Sequence, residues 1–527
     1  MTKLKNLLGL TFVFLMFTVN AQQVNKKIVN WYNGKKYGMS TDKAYKKILS
    51  KKTPKKVIVA VIDSGVDIEH EDLKDIIWTN KDEIPNNGID DDKNGYIDDV
   101  HGWNFLGNKD GENLNDVQLE MTRIYQTLDK VYKGKSYADL TDEEKKDYDL
   151  YKEVREKVKE NRADAEKQLK QMESLYETFS EADTRLRKHF GGDYTAKDLK
   201  KLKKDPELSD DASMMNRLFK AGISVDKFKE YVEHYQSQVD YHYNPDINPR
   251  ELVGDNPNDF NDTDYGNNDV EGPDAFHGTH CSGIIAAIRN NGIGNNGVAD
   301  NVWIMPIRAV PNGDERDKDI ALAIRYAVDN GAQVVNMSFG KSYSPQSEEV
   351  IKAIRYAEEH GVLLVHAAGN SGEDIDDQEA NPNFPSPKFP SMSKRFTNWI
   401  EVGASTRYKK HLAASFSNYG DETVDIFAPG LEIWSTVPQS EYEIAQGTSM
   451  AAPMVTGLAA LLKAYYPELT MLQIKDIILK SGKDVSMKIT PIPGGDTKVS
   501  MGDLSITGKI ANTYNAVKMA EEMTAGK

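Results

Sequence analysis

The sequence contains a single cysteine, Cys281, among 527 residues. That excludes an internal disulfide, and no second Cys or Cys/His spacing exists from which to build a zinc finger or ribbon. Beyond the N-terminus no segment reaches the roughly 18 consecutive apolar residues of a membrane-spanning helix. Nor is there a basic excess: 66 Lys+Arg against 82 Asp+Glu give a formal charge of −16, which disfavours nucleic acid as a partner. Tandem repeats and long low-complexity tracts are also missing. What remains, 39% hydrophobic and 9% aromatic, is ordinary globular composition. The length allows roughly two to four domains and one large core, which argues against a disordered, collagen-like or disulfide-stapled chain.

The first 21 residues, MTKLKNLLGLTFVFLMFTVNA, join Lys3 and Lys5 to an apolar stretch from Leu7 to Val19 and end on the small residue Ala21. This pattern predicts a secretory signal peptide over Met1–Ala21 rather than a membrane anchor, because the apolar run is too short to span a bilayer comfortably. No Cys follows it to carry a lipid. The expected product is exported, periplasmic or extracellular, with no stable membrane insertion after cleavage, and is more acidic still once the two lysines are gone.

From Val57 the chain reads VIVAVID, an apolar β-branched run suited to burial on both faces of a parallel sheet. Similar runs recur at Ala332–Phe339, Val362–Asn370 and Trp399–Ser405. They alternate with helical patterns such as DIALAIRYAVDNG and SEEVIKAIRYAEEHG, each closed by a Gly. Strand, helix, strand predicts an α/β fold with a doubly wound, mostly parallel sheet and helices on both faces. GTSMAAPMVTGLAALLKAYYP, apolar on nearly every side, predicts a buried central helix.

Residues 114–243 break this rhythm with Lys, Glu, Asp, Gln and Tyr. Thr141 and Glu144 form a capping box. Tyr151, Val154, Val158, Ala165, Leu169, Met172, Tyr176, Phe179 and Leu186 then follow mostly three or four apart. A long helix with one apolar stripe needs a partner, expected after Ser224 through Val225, Phe228, Val232, Tyr235, Val239 and Tyr243, with a short helix from Thr195 between them. The reading is an inserted helical hairpin with coiled-coil character.

Three motifs carry chemistry, in the order Asp, His, Ser: Asp63 in VIDSGVD at the end of a buried strand, His277 in HGTHCSGIIAA, and Ser449 in GTSMAAP. Peptide-bond hydrolysis needs a nucleophile, a base that takes its proton and returns it to the leaving amine, and a carboxylate that orients that base. Taken singly, each residue also fits a blander role as a cap, turn or structural residue. In this order and context they resemble the subtilisin-like serine proteases, whose triad runs Asp, His, Ser.

The resemblance covers about residues 55–106 and 245–520 and implies further roles. Asn370 in AAGNSG matches the family's oxyanion-hole asparagine. Ser338, Phe339 and Gly340 match the strand that binds substrate backbone, and Ala367, Ala368 and Gly369 match the opposite wall of the first specificity pocket. His280 reads as structural. Cys281 reads as a small packed hydrophobe.

Asp90-Asp91-Asp92-Lys93-Asn94-Gly95-Tyr96-Ile97-Asp98-Asp99 has the spacing of a calcium loop. Asp90, Asp92 and Asn94 fall at positions one, three and five, Gly95 at six, the Tyr96 carbonyl at seven and Asp98 at nine, but His101 stands where an EF-hand has its bidentate Glu. A structural Ca2+ completed from elsewhere in the chain, or a solvated turn rich in Asp and Asn, fits this loop.

Two departures from the family matter. The helical block separates Asp63 from His277 far more widely than in compact members, a tolerable change because closure entropy grows only logarithmically with loop length. Its ends are expected near the rim of the active site. In addition, Gln22–Lys56 is too short for the usual inhibitory pro-domain. The expected layout is a signal peptide at 1–21, a short extension at 22–56, a catalytic domain at 57–113 and 244–523, and the insertion at 114–243. The expected function is an exported serine endopeptidase acting on proteins or peptides, with no cofactor for catalysis. The rivals are a latent scaffold of the same fold, and a narrow processing enzyme whose insert docks a partner.

Overall fold

The computed structural model describes residues 28–525, and the expected signal peptide, Met1–Ala21, lies outside them. The chain divides into two compact units, Asp116–Pro249 and the described residues on either side of it. In the flanking unit α1 (Thr41–Lys47) precedes β1 (Val57–Asp63), and β2 (Trp103–Asn104) follows.

The Asp116–Pro249 unit is helical: α2 (Glu120–Tyr132), α3 (Asp142–Phe190), the short α4 (Ala196–Leu199), α5 (Ser209–Ala221) and α6 (Val225–Ser237). The 49-residue α3 starts at the capping box of Thr141 and Glu144 and stops at Gly191, whose φ of 75° closes the helix in the left-handed conformation. Its stripe is buried at Tyr151, Val154, Val158, Ala165, Leu169, Ala182 and Leu186. One part of the stripe meets Phe228 of α6 together with Ala212, Met215 and Leu218 of α5, and the other meets Tyr132 of α2. The partner after Ser224 is therefore present, but α2 and α5 share its task. Both helices are amphipathic and as long as α6, and the sequence reading passed over them.

The flanking unit continues with α7 (Phe276–Ala286), β3 (Val302–Arg308), α8 (Asp317–Asp329), β4 (Val334–Met337), α9 (Ser347–Glu359), β5 (Leu363–Ala367), β6 (Trp399–Ser405) and β7 (Ile426–Pro429). A hairpin, β8 (Ile433–Val437) and β9 (Glu441–Ala445), leads into α10 (Thr448–Tyr465). The remaining elements are α11 (Met471–Ser481), β10 (Lys483–Asp484), β11 (Ile489–Pro491), β12 (Lys498–Ser500), β13 (Lys509–Ile510) and α12 (Thr513–Thr524).

Nine strands form one sheet in the order β10-β13-β7-β6-β5-β4-β1-β3-β2, parallel throughout except for the β10–β13 pair. This is the α/β architecture that the alternating runs predict. β1 lies inside the sheet between β4 and β3, with Ile62 opposite Met337 of β4 and Asp63 opposite Arg308 of β3. Successive strand side chains point to opposite faces. Val57, Val59 and Val61 accordingly join one core with Ile284 of α7 and with Val455, Leu458 and Leu461 of α10. Each such side chain contributes about 1.5–3 kcal/mol by leaving water. Parallel strands all end on the same side of a sheet, so Asp63, Met337 and Ala367 terminate neighbouring strands β1, β4 and β5 together.

Candidate active site

Asp63 closes β1, and its side chain is 2% exposed. Its Oδ1 accepts the Ser64 N–H at 2.8 Å and lies 2.7 Å from His277 Nδ1. His277 sits in the first turn of α7, and the next residue explains how that helix approaches so closely. A Cβ at Gly278 would lie 2.1 Å from the Gly65 carbonyl oxygen and 3.1 Å from Asp63 Cβ, so only glycine admits this packing. Burial pushes the His277 imidazole down, but the charge and hydrogen bond of Asp63, helped by Asp274, outweigh it and hold the ring above the ordinary value of 6.5.

Ser449 occupies the first turn of α10, where backbone N–H groups have no intrahelical acceptor and the helix dipole is positive. Its Oγ donates to the Ser338 carbonyl oxygen at 3.1 Å, and no hydrogen bond joins it to His277 among the described residues. Catalytic hydrogen bonds of this type commonly tighten only with substrate in place. Pro453, inside α10, lacks the N–H that would bond back to Ser449. The Ser449 carbonyl oxygen instead accepts the Ser338 Oγ–H at 3.0 Å and the Cys281 thiol at 3.3 Å.

Asn370 faces the same turn. Its Oδ1 accepts both the N–H of Thr448, at 2.8 Å, and the Thr448 hydroxyl, at 3.0 Å, which turns the amide so that Nδ2 remains as a donor. Thr448 Oγ1 in turn accepts the Gly369 N–H at 3.1 Å. Ser338, Phe339 and Gly340 follow the end of β4, while Ala367 ends β5 and continues into Ala368 and Gly369. The structure thus brings the residues that the sequence reading singles out for catalysis and substrate binding to the carboxyl ends of three adjacent strands, β1, β4 and β5, and to the first turns of α7 and α10.

The family model that matches residues 54–497 is described as the subtilase family. The chain belongs to the subtilase family. Relatives include a thermophilic serine proteinase of Bacillus sp. (strain AK1), 41% identical over 225 residues, covering 42% of this chain and 49% of that protein. The cell wall-associated protease of Bacillus subtilis (strain 168) is 35% identical over 235 residues, 44% of this chain and 24% of its own. Thermitase of Thermoactinomyces vulgaris is 38% identical over 187 residues, 35% of this chain and 60% of its own. The matched region spans about half of the first of these relatives, a quarter of the second and three fifths of the third.

Around this subtilase site the sequence reading missed Asn418. Its Nδ2 donates to the Ala368 carbonyl oxygen at 2.9 Å, while its Oδ1 accepts the N–H groups of Ser371, at 3.0 Å, and Glu373, at 3.1 Å, so one side chain holds the whole loop that carries Asn370. Nothing local in SFSNYG marks it. His280 is buried beside Glu443 O, and burial drives its imidazole down to about 3, so it stays neutral. Burial and the Asp63 charge push the Cys281 thiol up, which keeps it a protonated, packed group rather than a nucleophile.

In the acidic loop, oxygen atoms of Asp90 and Asp92 lie within 4.8 Å of each other and of a residue not anticipated, Glu83. Glu83 is 6% exposed, and while its Oε1 accepts the Asp91 and Asp92 N–H groups, its Oε2 has no hydrogen-bond partner. Asn94 Oδ1 accepts the Tyr96 N–H at 2.8 Å. Asp98 turns elsewhere, its two oxygens accepting the N–H groups of Asn87, at 3.1 Å, and Gly88, at 2.9 Å. The absence of Glu at His101 was the signal that a carboxylate had to come from another segment.

Two outcomes follow from this geometry. With His277 as the general base, which must be neutral to act, kcat/KM is expected to fall as pH drops through a value above 6.5, and Asp63→Asn is expected to move that limb down while lowering kcat by about 10⁴-fold, as a pH–rate series on both proteins measures. Gly278→Ala forces α7 away from β1 and abolishes most turnover while leaving far-UV circular dichroism unchanged.

Proposed function

We propose that this subtilase is an exported serine endopeptidase. The observation that carries the reading is the Asp63–His277 pair at 2.7 Å, beside Ser449 at a helix N-terminus and the Asn370 amide. Ser449 Oγ attacks the scissile carbonyl and His277 takes its proton; Asp63 holds the imidazolium that forms. The developing oxyanion receives the Ser449 N–H and Asn370 Nδ2, donors already oriented before reaction. His277 then gives the proton to the leaving amine, and water hydrolyses the acyl-enzyme by the same exchange. Substrate backbone pairs with Ser338–Gly340 as an added strand, a mode that accepts many sequences. Protein or peptide substrates are the partners, and catalysis uses no cofactor.

Export is supported by the leader-like Met1–Ala21, by a relative named for the cell wall, and by the fact that no helix of the described residues is long and apolar enough to cross a membrane. Calcium is supported by the unpartnered, buried Oε2 of Glu83. Glu83, Asp90, Asp92, Asn94 and the Tyr96 carbonyl would hold the ion. Asp98 stands at position nine, where such loops commonly act through a water. The ion would neutralise three clustered carboxylates and lock the loop.

A fluorophosphonate probe is expected to label the purified protein and not Ser449→Ala. Asn370→Ala is expected to keep KM and lose about 10²–10³-fold in kcat. Labelling that persists in Ser449→Ala overturns the assignment of the nucleophile. Chelation is expected to lower the melting midpoint by about 5 °C in the wild type and by little in Glu83→Gln; an equal midpoint with and without chelator overturns the calcium reading.

A further inference from the structure

Two strands buried along their whole length carry a polar side chain among apolar neighbours, His366 in β5 and Glu401 in β6. Both side chains are 0% exposed. They meet across the sheet, with His366 Nδ1 lying 2.9 Å from Glu401 Oε1 and 3.1 Å from Oε2. The other ring nitrogen, Nε2, lies 2.8 Å from the Phe339 carbonyl oxygen. A carbonyl oxygen only accepts, so Nε2 carries a proton, and a second proton lies between Nδ1 and the carboxylate. Trp399 Nε1–H donates to Glu401 Oε2 at 2.7 Å, and its ring packs against His366 with centroids 5.2 Å apart. Behind Glu401, its backbone N–H donates to Asp425 Oδ2, which Arg395 pairs at 2.7 Å and which also feels the charge of Lys475. Every polar atom of the pair is occupied, and the chain of contacts ends on one carbonyl group.

That carbonyl belongs to the middle residue of Ser338–Gly340. Along an extended strand, successive carbonyl groups point in opposite directions. Phe339 O is turned onto His366, while the preceding carbonyl oxygen, Ser338 O, accepts the Ser449 hydroxyl. One residue further on, Lys341 and Phe384 exchange two backbone hydrogen bonds of 2.9 Å. His366 therefore grips the back of the segment whose front faces the nucleophile.

We propose that His366 and Glu401 are a positioning pair for extended substrates. The buried ring fixes the plane of the Phe339 peptide, so that Ser338–Gly340 presents a ready-made edge to any peptide long enough to pair with it. The proposal rests on the proteolytic reading above. Affinity for long substrates depends on the pair, while the triad does not.

The test separates the two nitrogens of the ring. A Gln amide reaches where Nε2 stands and still donates to Phe339 O; an Asn amide reaches only where Nδ1 stands and leaves that oxygen without its donor. Wild type, His366→Asn and His366→Gln are compared on a single-residue ester and on a tetrapeptide anilide with the same first residue, with rates normalised to the fraction labelled by fluorophosphonate. His366→Asn is expected to raise the tetrapeptide KM about ten-fold with ester kcat/KM unchanged, the loss of one hydrogen bond from a strongly polar donor. His366→Gln is expected to stay within about three-fold of wild type by the same reasoning. Equal effects of Asn and Gln, or equal losses on ester and tetrapeptide, overturn the proposal. Ester turnover and labelling of the wild type report on the proteolytic reading separately.

Discussion

The contact on which the site depends is the hydrogen bond between Asp63 and His277, which joins residues 214 positions apart. A buried carboxylate is costly unless it is paired, so the end of β1 is stable as built only when α7 arrives against it. Two glycines allow that arrival: Gly278, and Gly65, where a Cβ would stand 2.0 Å from the Glu271 carbonyl oxygen at a φ of +142°. The pairing raises the basicity of the ring and commits Nδ1 to the carboxylate. One close packing event therefore sets geometry and proton affinity together.

A second constraint is backbone polarity inside a nearly dry core. α10 is buried on almost every side, yet Pro453 leaves the Ser449 carbonyl without its helical donor. Ser338 and Cys281 fill that vacancy, tying the Ser449 peptide to the segment after β4 and to α7. Asn418 does the same for the loop of Asn370, and His366 for Phe339. Around the reacting groups, local hydrogen bonds that secondary structure would normally satisfy are exchanged for side-chain contacts from distant segments. Such exchanges rigidify a site because each partner is itself packed.

The helical unit stands on its own account. α3 buries its stripe against α2, α5 and α6, with tyrosines supplying much of one end and Phe179 and Phe228, 4.6 Å apart between centroids, part of the other. A segment with its own core costs the host fold little beyond loop closure. That is why an insertion between Asp63 and His277 is compatible with the α/β sheet.

Much of this was legible in the sequence wherever the signal was local. The run VIVAVID announced a strand buried on both faces, GTSMAAP followed by apolar residues announced a buried helix beginning at Ser449, and Thr141 with Glu144 marked the start of α3. Periodicity and capping are set by neighbours a few residues away, so they can be read in one dimension. Asp63, His277, Ser449 and Asn370 were found through their motifs, but their convergence was not: it follows from parallel strands ending on one side of a sheet. Glu83 stands only eight and nine residues before the N–H groups it accepts and was missed because it precedes the loop pattern, whereas Asn418 and the His366–Glu401 pair lay beyond sequence reading for the same reason as that convergence. Their partners are distant in the chain, and a hydrogen bond across such a separation leaves no pattern in either segment; it exists only once packing has brought the two together and excluded water between them.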